Sequence, residues 1–299
     1  MVGSAIVRRL RTIEGVTTLT ATRSELDLRD AAATEKWVID QRPALVFMAA
    51  AKVGGIVANN DRPVDFLEQN LQIELSTISA AFKGKVEKFL LLGSSCVYPK
   101  FAPQPIAESS LLTSSLEPTN QWYAVAKIAG VMLCDAYRKQ HGANFISVMP
   151  SNLYGPNDNY DLQSGHVMAA ALRKIAEAKK AGSPSVTIWG SGEPLREFLH
   201  VDDLADALVF LMQNFSEAGP INVGTGQEIS IGDLYKLIAE IVGYSGKFEL
   251  DRSKPDGTPR KVVDTSRLAK MGWQPRISLA AGISAVARDL AFPPHERSQ

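Results

Sequence analysis

Short apolar runs alternate with longer segments of helical period over residues 1–150, and this alternation constrains the fold more than any other feature of the chain. The runs are Thr17 to Ala21, Ala44 to Ala49, Lys88 to Leu92 and Phe145 to Met149. Between them, Ala31 to Asp40, Pro63 to Phe82 and Gln121 to Gln140 carry apolar residues at intervals of three and four. That pattern predicts repeated βα units around a parallel sheet. Pro63 suits a first helical turn, where its missing donor is not needed. After Pro150 the rhythm loosens into the loop NLYGPNDNY, a helix near His166 to Lys180 and short strands around Trp189 and Phe198. A helix near Asp202 to Gln213, the apolar strand INVG at 221–224 and a helix near Ile231 to Val242 return the chain toward its first layer. The expected division is therefore 1–150 and 151–299, with a return near 200–225.

Composition narrows the function. The 299 residues include 32 basic and 32 acidic side chains, so no overall positive field exists to hold nucleic acid or an anionic membrane. The longest apolar stretch, Ala44 to Ala51, falls far short of the ~20 residues that span a bilayer. Arg8, Arg9 and Arg11 superficially suggest a transit peptide, but Glu14 follows at once and the segment reads better as a first domain helix. Cys96 and Cys134 are too few for a disulfide framework and lack metal-ligand spacing, so we expect no metal and a reducing, cytoplasmic compartment.

Tyr123 and Lys127 lie at i and i+4 in YAVAK, which puts both on one helix face. An ammonium near a phenol favours the phenolate, so Lys127 is expected to lower the Tyr123 pKa toward useful acid–base chemistry. Alone, the spacing also suits an amphipathic helix with an ordinary, partly buried tyrosine. GSSC at 93–96 follows the apolar run KFLLL, and ligands of open parallel sheets bind beyond the carboxyl ends of strands. Ser94 and Cys96 are thus candidates for the same crevice, against the plainer reading of a serine-rich turn with a small buried cysteine. A strand-end serine with a downstream Tyr-x-x-x-Lys is the catalytic pattern of short-chain dehydrogenase/reductases.

AAAKVGGIVANN at 49–60, GSSCVYPK at 93–100, NLYGPNDNY at 152–160, WGSGEPLREFLHVDD at 189–203, INVGTG at 221–226 and KPDGTPRK at 254–261 follow in order. With them the chain resembles the GDP-L-fucose synthase family of extended short-chain dehydrogenase/reductases, from Met1 to about Arg288. The resemblance implies a Rossmann-type doubly wound parallel α/β sheet with a smaller C-terminal α/β substrate domain. It further implies NADPH-dependent C3/C5 epimerisation and C4 reduction of a GDP-4-keto-6-deoxy-D-mannose substrate, by a homodimer that packs through the helices of 63–82 and 123–140. In that pattern Tyr123 is the proton donor to the C4 oxygen, Lys127 also holds the nicotinamide ribose, and Ser94 orients the reacting oxygen. Cys96 and His166 are the epimerisation base and acid, because inverting a carbon next to a ketone needs proton removal on one face and return on the other. His200 and His141 keep structural readings.

The same resemblance assigns Lys174, Trp189, Arg196 and Asp256 to the substrate. Lys174 stands where an arginine is expected and supplies a point charge without a bidentate fork. Gly3, Arg23, Asp27, Leu28, Lys127, Pro150, Asn152, Leu153 and His166 are assigned to NADP(H), Arg23 meeting the 2′-phosphate. The chain departs from the family at its start. Of the Gly-x-x-Gly-x-x-Gly fingerprint after the first strand only Gly3 is present, and the chain opens directly on a helix. In the usual order 3-2-1-4-5-6 that first strand is interior. We therefore expect Met1 to be internal to a longer product, and the chain as it stands to bind NADPH poorly and to lose stability. Two alternatives share these residues: another nucleotide-sugar epimerase or dehydratase, and a catalytically silent homologue.

Overall fold

The apolar run KFLLL at 88–92 is buried at every position, which a strand satisfies only when both faces of its sheet are covered. The computed structural model describes residues 1–162, 165–254 and 256–291. Its chain runs α1 (Val2–Leu10), α2 (Ala31–Gln41), β1 (Leu45–Met48), α3 (Ile56–Asp61), α4 (Pro63–Lys83), β2 (Lys88–Leu92), α5 (Gln121–His141) and β3 (Phe145–Pro150). Next come β4 (Asn152–Tyr154), α6 (Val167–Ala181), β5 (Ser185–Trp189), β6 (Leu195–Arg196), β7 (Phe198–His200), α7 (Val201–Asn214) and β8 (Pro220–Val223). The last elements are β9 (Ile229–Ser230), α8 (Ile231–Val242), β10 (Lys247–Asp251), β11 (Arg260–Lys261), α9 (Ser266–Lys270) and α10 (Leu279–Ala291).

Four parallel strands form the main sheet in the order β1–β2–β3–β8, with Phe47 opposite Leu90, Leu90 opposite Ile146 and Val148 opposite Ile221. Alternation along β2 sends Leu90 and Leu92 into a core with Ala5, Ile6, Leu204 and Leu208 from α1 and α7. Phe89 and Leu91 point the other way, onto Ile78 and Ala81 of α4 and Val131 of α5. This is the doubly wound α/β arrangement. The buried ammonium of Lys88, at the start of β2, donates to the carbonyls of Leu211 (3.0 Å) and Met212 (2.6 Å), so the last turn of α7 stabilises its charge. Helix α1 docks on α7 through ion pairs of Arg8 with Asp202 and of Arg9 with Asp206.

A third core joins α6, α8 and α10 through Leu172, Ile175, Leu234, Ile238, Ile283 and Val286. Small sheets β5–β10, β4–β7 and β6 between β9 and β11 surround it. The strand expected at Thr17 to Ala21 does not form: the segment is outside every sheet and largely exposed. Among the described residues no strand joins the outer edge of β1, so this segment has no adjoining ladder to complete. Elsewhere the expected elements form, except that the start of the expected loop NLYGPNDNY is strand β4, paired with β7, and α3, β6, β9, β10, β11, α9 and α10 come in addition.

Leu91 is fully buried between the sheet and α4–α5. Replacing it with Ala should cost about 2–5 kcal/mol of unfolding free energy, measured in urea at equilibrium. A loss near zero would mean that this interface does not carry the fold.

Candidate active site

Strand β2 ends at Leu92, and the chain turns through Gly93 and Ser94 into a tight helical turn at Ser95–Val97. The Ser94 hydroxyl caps that turn by accepting from the Cys96 N–H at 3.2 Å. Helix α5 runs alongside, held close at Gly130, where an added Cβ would lie 2.5 Å from Glu74 Oε2 and 2.9 Å from Leu91 Cδ2. Lys127 therefore reaches under the sheet end: it is only 1% exposed, and its Nζ donates to Leu92 O at 3.1 Å and pairs with Glu74 Oε1 at 2.9 Å. One helical turn earlier, the Tyr123 ring centre lies 6.0 Å from that Nζ, and Ser94 acts on the phenol.

The charges correct one sequence expectation. Burial, reinforced by the Cys96 and Glu74 charges, pushes the Tyr123 phenol above its ordinary value, and Ser94 opposes this only in part. Lys127 does not lower it, because its ammonium is compensated by the carboxylate 2.9 Å away. A phenol that keeps its proton is suited to giving one away. Burial also raises the Glu74 carboxyl, against the pull of Lys127.

Cys96 has the opposite balance. Burial alone would raise its thiol, yet Lys261, Ser94 and Arg196 together hold it below the ordinary thiol value. Lys261 Nζ lies 3.3 Å from Cys96 Sγ, and Asn120 Nδ2 lies 3.4 Å from it. A cavity of about 30 Å³, room for about one water, opens beside the thiol between Asn120, Gln104 and Lys261.

The other predicted residues fall into separate groups. Lys174 Nζ sits 4.8 Å over the half-exposed Trp189 ring, with Lys254 Nζ at 5.5 Å. Arg196 faces both Asp256 and Cys96 electrostatically, and Asp256 accepts from the Ser191 N–H at 2.9 Å. Pro150 closes β3, Leu153 packs against the α1–α7 core, and Asn152 donates to Glu197 O at 2.8 Å. Asp27 pairs with Arg29, the Leu28 carbonyl accepts from Ser76, and Arg23 is exposed without an ion pair among the described residues. Gly3 lies within α1, where an added Cβ would meet nothing. His166 is exposed at the start of α6, and Asp158 senses its charge. No hydrogen bond or ion pair among the described residues ties it to Cys96 or Tyr123. Ser94, Cys96, Tyr123 and Lys127 are thus brought together.

Residues 1–224 match the model of the NAD dependent epimerase/dehydratase family. The chain belongs to that family. It is 55% identical to the GDP-L-fucose synthase 1 of Arabidopsis thaliana over 285 residues, which cover 95% of this chain and 88% of the relative. It is 50% identical to the GDP-L-fucose synthase of Escherichia coli over 294 residues, covering 95% and 92%. Among solved structures, a GDP-L-fucose synthetase from Naegleria fowleri bound to NADP superposes with a TM-score of 0.87 at 28% identity, covering 96% of this chain and 89% of that one.

Within this epimerase/dehydratase framework, two residues at the site escaped the sequence reading. Glu74 left a signal: it shares the buried stripe of α4 with Phe66, Asn70, Thr77 and Ile78, and a carboxylate on such a stripe demands a cation. Lys261 left only its place in the PDGTPRK segment.

Gly130→Ala tests the close approach of α4 and α5. Alanine improves helix propensity by about 1 kcal/mol, but the new methyl presses on Glu74 and Leu91. Net destabilisation in a thermal melt is expected; a stabilised variant would contradict the packing described.

Proposed function

We propose that the chain catalyses the NADPH-dependent conversion of GDP-4-keto-6-deoxy-D-mannose to GDP-L-fucose. The observation that carries this reading is Ser94, Cys96, Tyr123 and Lys127 gathered at one strand end, in a chain 50–55% identical to GDP-L-fucose synthases. The donor set fits NADP(H): Lys127 and Tyr123 for the nicotinamide ribose, Pro150, Asn152 and Leu153 for the nicotinamide, and Asp27 and Leu28 for the adenine. Arg23, with no carboxylate paired to it among the described residues, suits the 2′-phosphate. Gly3 and His166 complete the assignment. When bound, the cofactor supplies the hydride for C4.

The residues divide the remaining work. The Cys96 thiolate takes the proton from C3 or C5, the electron pair moving into the enolate on the C4 oxygen, and His166 returns a proton from the other face. Tyr123 then gives its proton to the C4 oxygen, with Ser94 orienting that oxygen and Lys127 aligned by Glu74. Arg196 and Lys174 meet the diphosphate, and Asp256 and Trp189 complete the GDP-sugar site. The division into a cofactor part at 1–150 and a mainly substrate part at 151–299 belongs to the same reading.

A homodimer also belongs to it. Val64, Leu71 and Leu75 of α4 and Trp122, Val125 and Met132 of α5 are apolar and exposed on two helices packed side by side. A second copy would cover them. No described helix is long and apolar enough to cross a membrane, and both cysteines are free, which supports a cytoplasmic enzyme.

The full chain with NADPH and GDP-4-keto-6-deoxy-D-mannose should yield GDP-L-fucose, and Tyr123→Phe should lower kcat by about 10²–10⁴-fold. A product reduced at C4 with C3 and C5 unchanged would overturn the epimerase half of the reading. Leu75→Glu should shift the particle to a monomer in sedimentation velocity; an unchanged dimer would remove this face as the interface.

A further inference from the structure

Lys261 is the residue of the PDGTPRK segment that the function above leaves without a task. Strand β11 is two residues long and pairs with β6, Arg260 opposite Leu195 and Lys261 opposite Arg196. Successive side chains of a strand leave on opposite faces. Arg260 turns outward to Glu228, its Nε 2.8 Å from the carboxylate, so Lys261 turns inward. Its Nζ stops 3.3 Å from Cys96 Sγ, the sole partner of this ammonium among the described residues. Lys88 and Lys127 give their ammonium groups to carbonyls or a carboxylate; this one is aimed at a sulfur.

The position is fixed from both flanks. Val262 N donates to Gln104 Oε1 at 3.0 Å, and Val263 N donates to the fully buried Glu197 carboxylate at 2.9 Å. Glu117, an acid that lines the same small cavity as Lys261, is taken up by Lys100 at 2.8 Å. The charged and titratable groups facing Cys96 are thus Lys261 from β11, Arg196 from β6, Tyr123 from α5, and, around the small cavity, Tyr98, whose hydroxyl is given to Asn222, and the Lys100–Glu117 pair. Asp256 draws on Arg196, which leaves Lys261 as the uncompensated cation at the sulfur.

We propose that Lys261 is the positioning residue that keeps Cys96 as a thiolate, ready to take a proton. The proposal deepens the reading of Cys96 as the epimerisation base and rests on it for its place in the reaction. The ammonium keeps its own proton: at 3.3 Å it stabilises S⁻ over SH, and the proton that Cys96 later gains comes from the sugar carbon. An adjacent cation is worth about one to three units of thiol pKa.

The thiol can be read without turnover, since Cys134 is fully buried and its thiol is pushed up to about 12. Iodoacetamide alkylation of Cys96 is followed against pH in the full chain, with the modified peptide located by mass. In the unaltered protein the midpoint should lie below the ordinary thiol value of about 8.5. In Lys261→Met it should rise by about one unit or more, with roughly tenfold slower alkylation at neutral pH. A midpoint at or above the ordinary value in the unaltered protein overturns the proposal whether or not the variant folds, and so do superimposed profiles. With substrate in deuterated water, Lys261→Met should slow deuterium entry at C3 and C5 in step with the loss of thiolate. Cys96→Ser separates the two claims: exchange that survives it sinks the base reading, while the alkylation profile alone decides for or against Lys261.

Discussion

The ion pair of Lys127 with Glu74 is the constraint around which the rest of this site is arranged. Both side chains are almost completely buried, and a lone ammonium there would cost several kcal/mol to desolvate. The carboxylate on α4 and the carbonyl that ends β2 resolve that cost together, which locks two helices and a strand end into one geometry. Gly130 follows from the pair, because only a residue without Cβ leaves room for the carboxylate. The electrostatics follow as well. With Lys127 compensated, Tyr123 responds to burial and stays a phenol, the protonated state that a donor to a ketone oxygen needs.

Cys96, a few residues beyond the same strand, is tuned the other way by a cation that no carboxylate neutralises. A proton donor on α5 and a proton acceptor at the end of β2 thus meet with opposite tuning: burial holds the phenol protonated and Lys261 draws the thiol down. A second buried carboxylate secures the cysteine's side. Glu197 accepts from the N–H groups of Thr225, Gly226 and Val263, which ties the INVGTG loop and the segment after β11 to β6–β7. An added Cβ at Gly224 would lie 2.1 Å from Glu197 Oε1, so that glycine is required for the same reason as Gly130.

Much of this was legible in the sequence where local pattern and burial agree. KFLLL, FISVMP and the helices at 63–83, 121–141 and 231–242 form as their periods predict, and Ser94, Cys96, Tyr123 and Lys127 meet because a strand end and an adjacent helix face converge. The segment Thr17 to Ala21 has the composition of a strand, but a strand exists only where a ladder is available to it, which local composition does not encode. Likewise, the i, i+4 spacing placed Lys127 beside Tyr123 but carried no information on the burial that pushes the phenol up, nor on Glu74, 53 positions earlier, which pairs with the ammonium. The partner of Cys96 is still farther along the chain, on a strand of two residues too short to show a period.

A double-mutant cycle on unfolding free energy tests the central claim most directly, using Glu74→Gln, Lys127→Met and the two together. Each single change should cost about 3–5 kcal/mol, because each leaves the other group buried without its partner. The double variant should then lose clearly less than the sum, by at least about 1 kcal/mol. Losses that simply add would contradict the account, since they would show two side chains that are near one another but do not hold the site together.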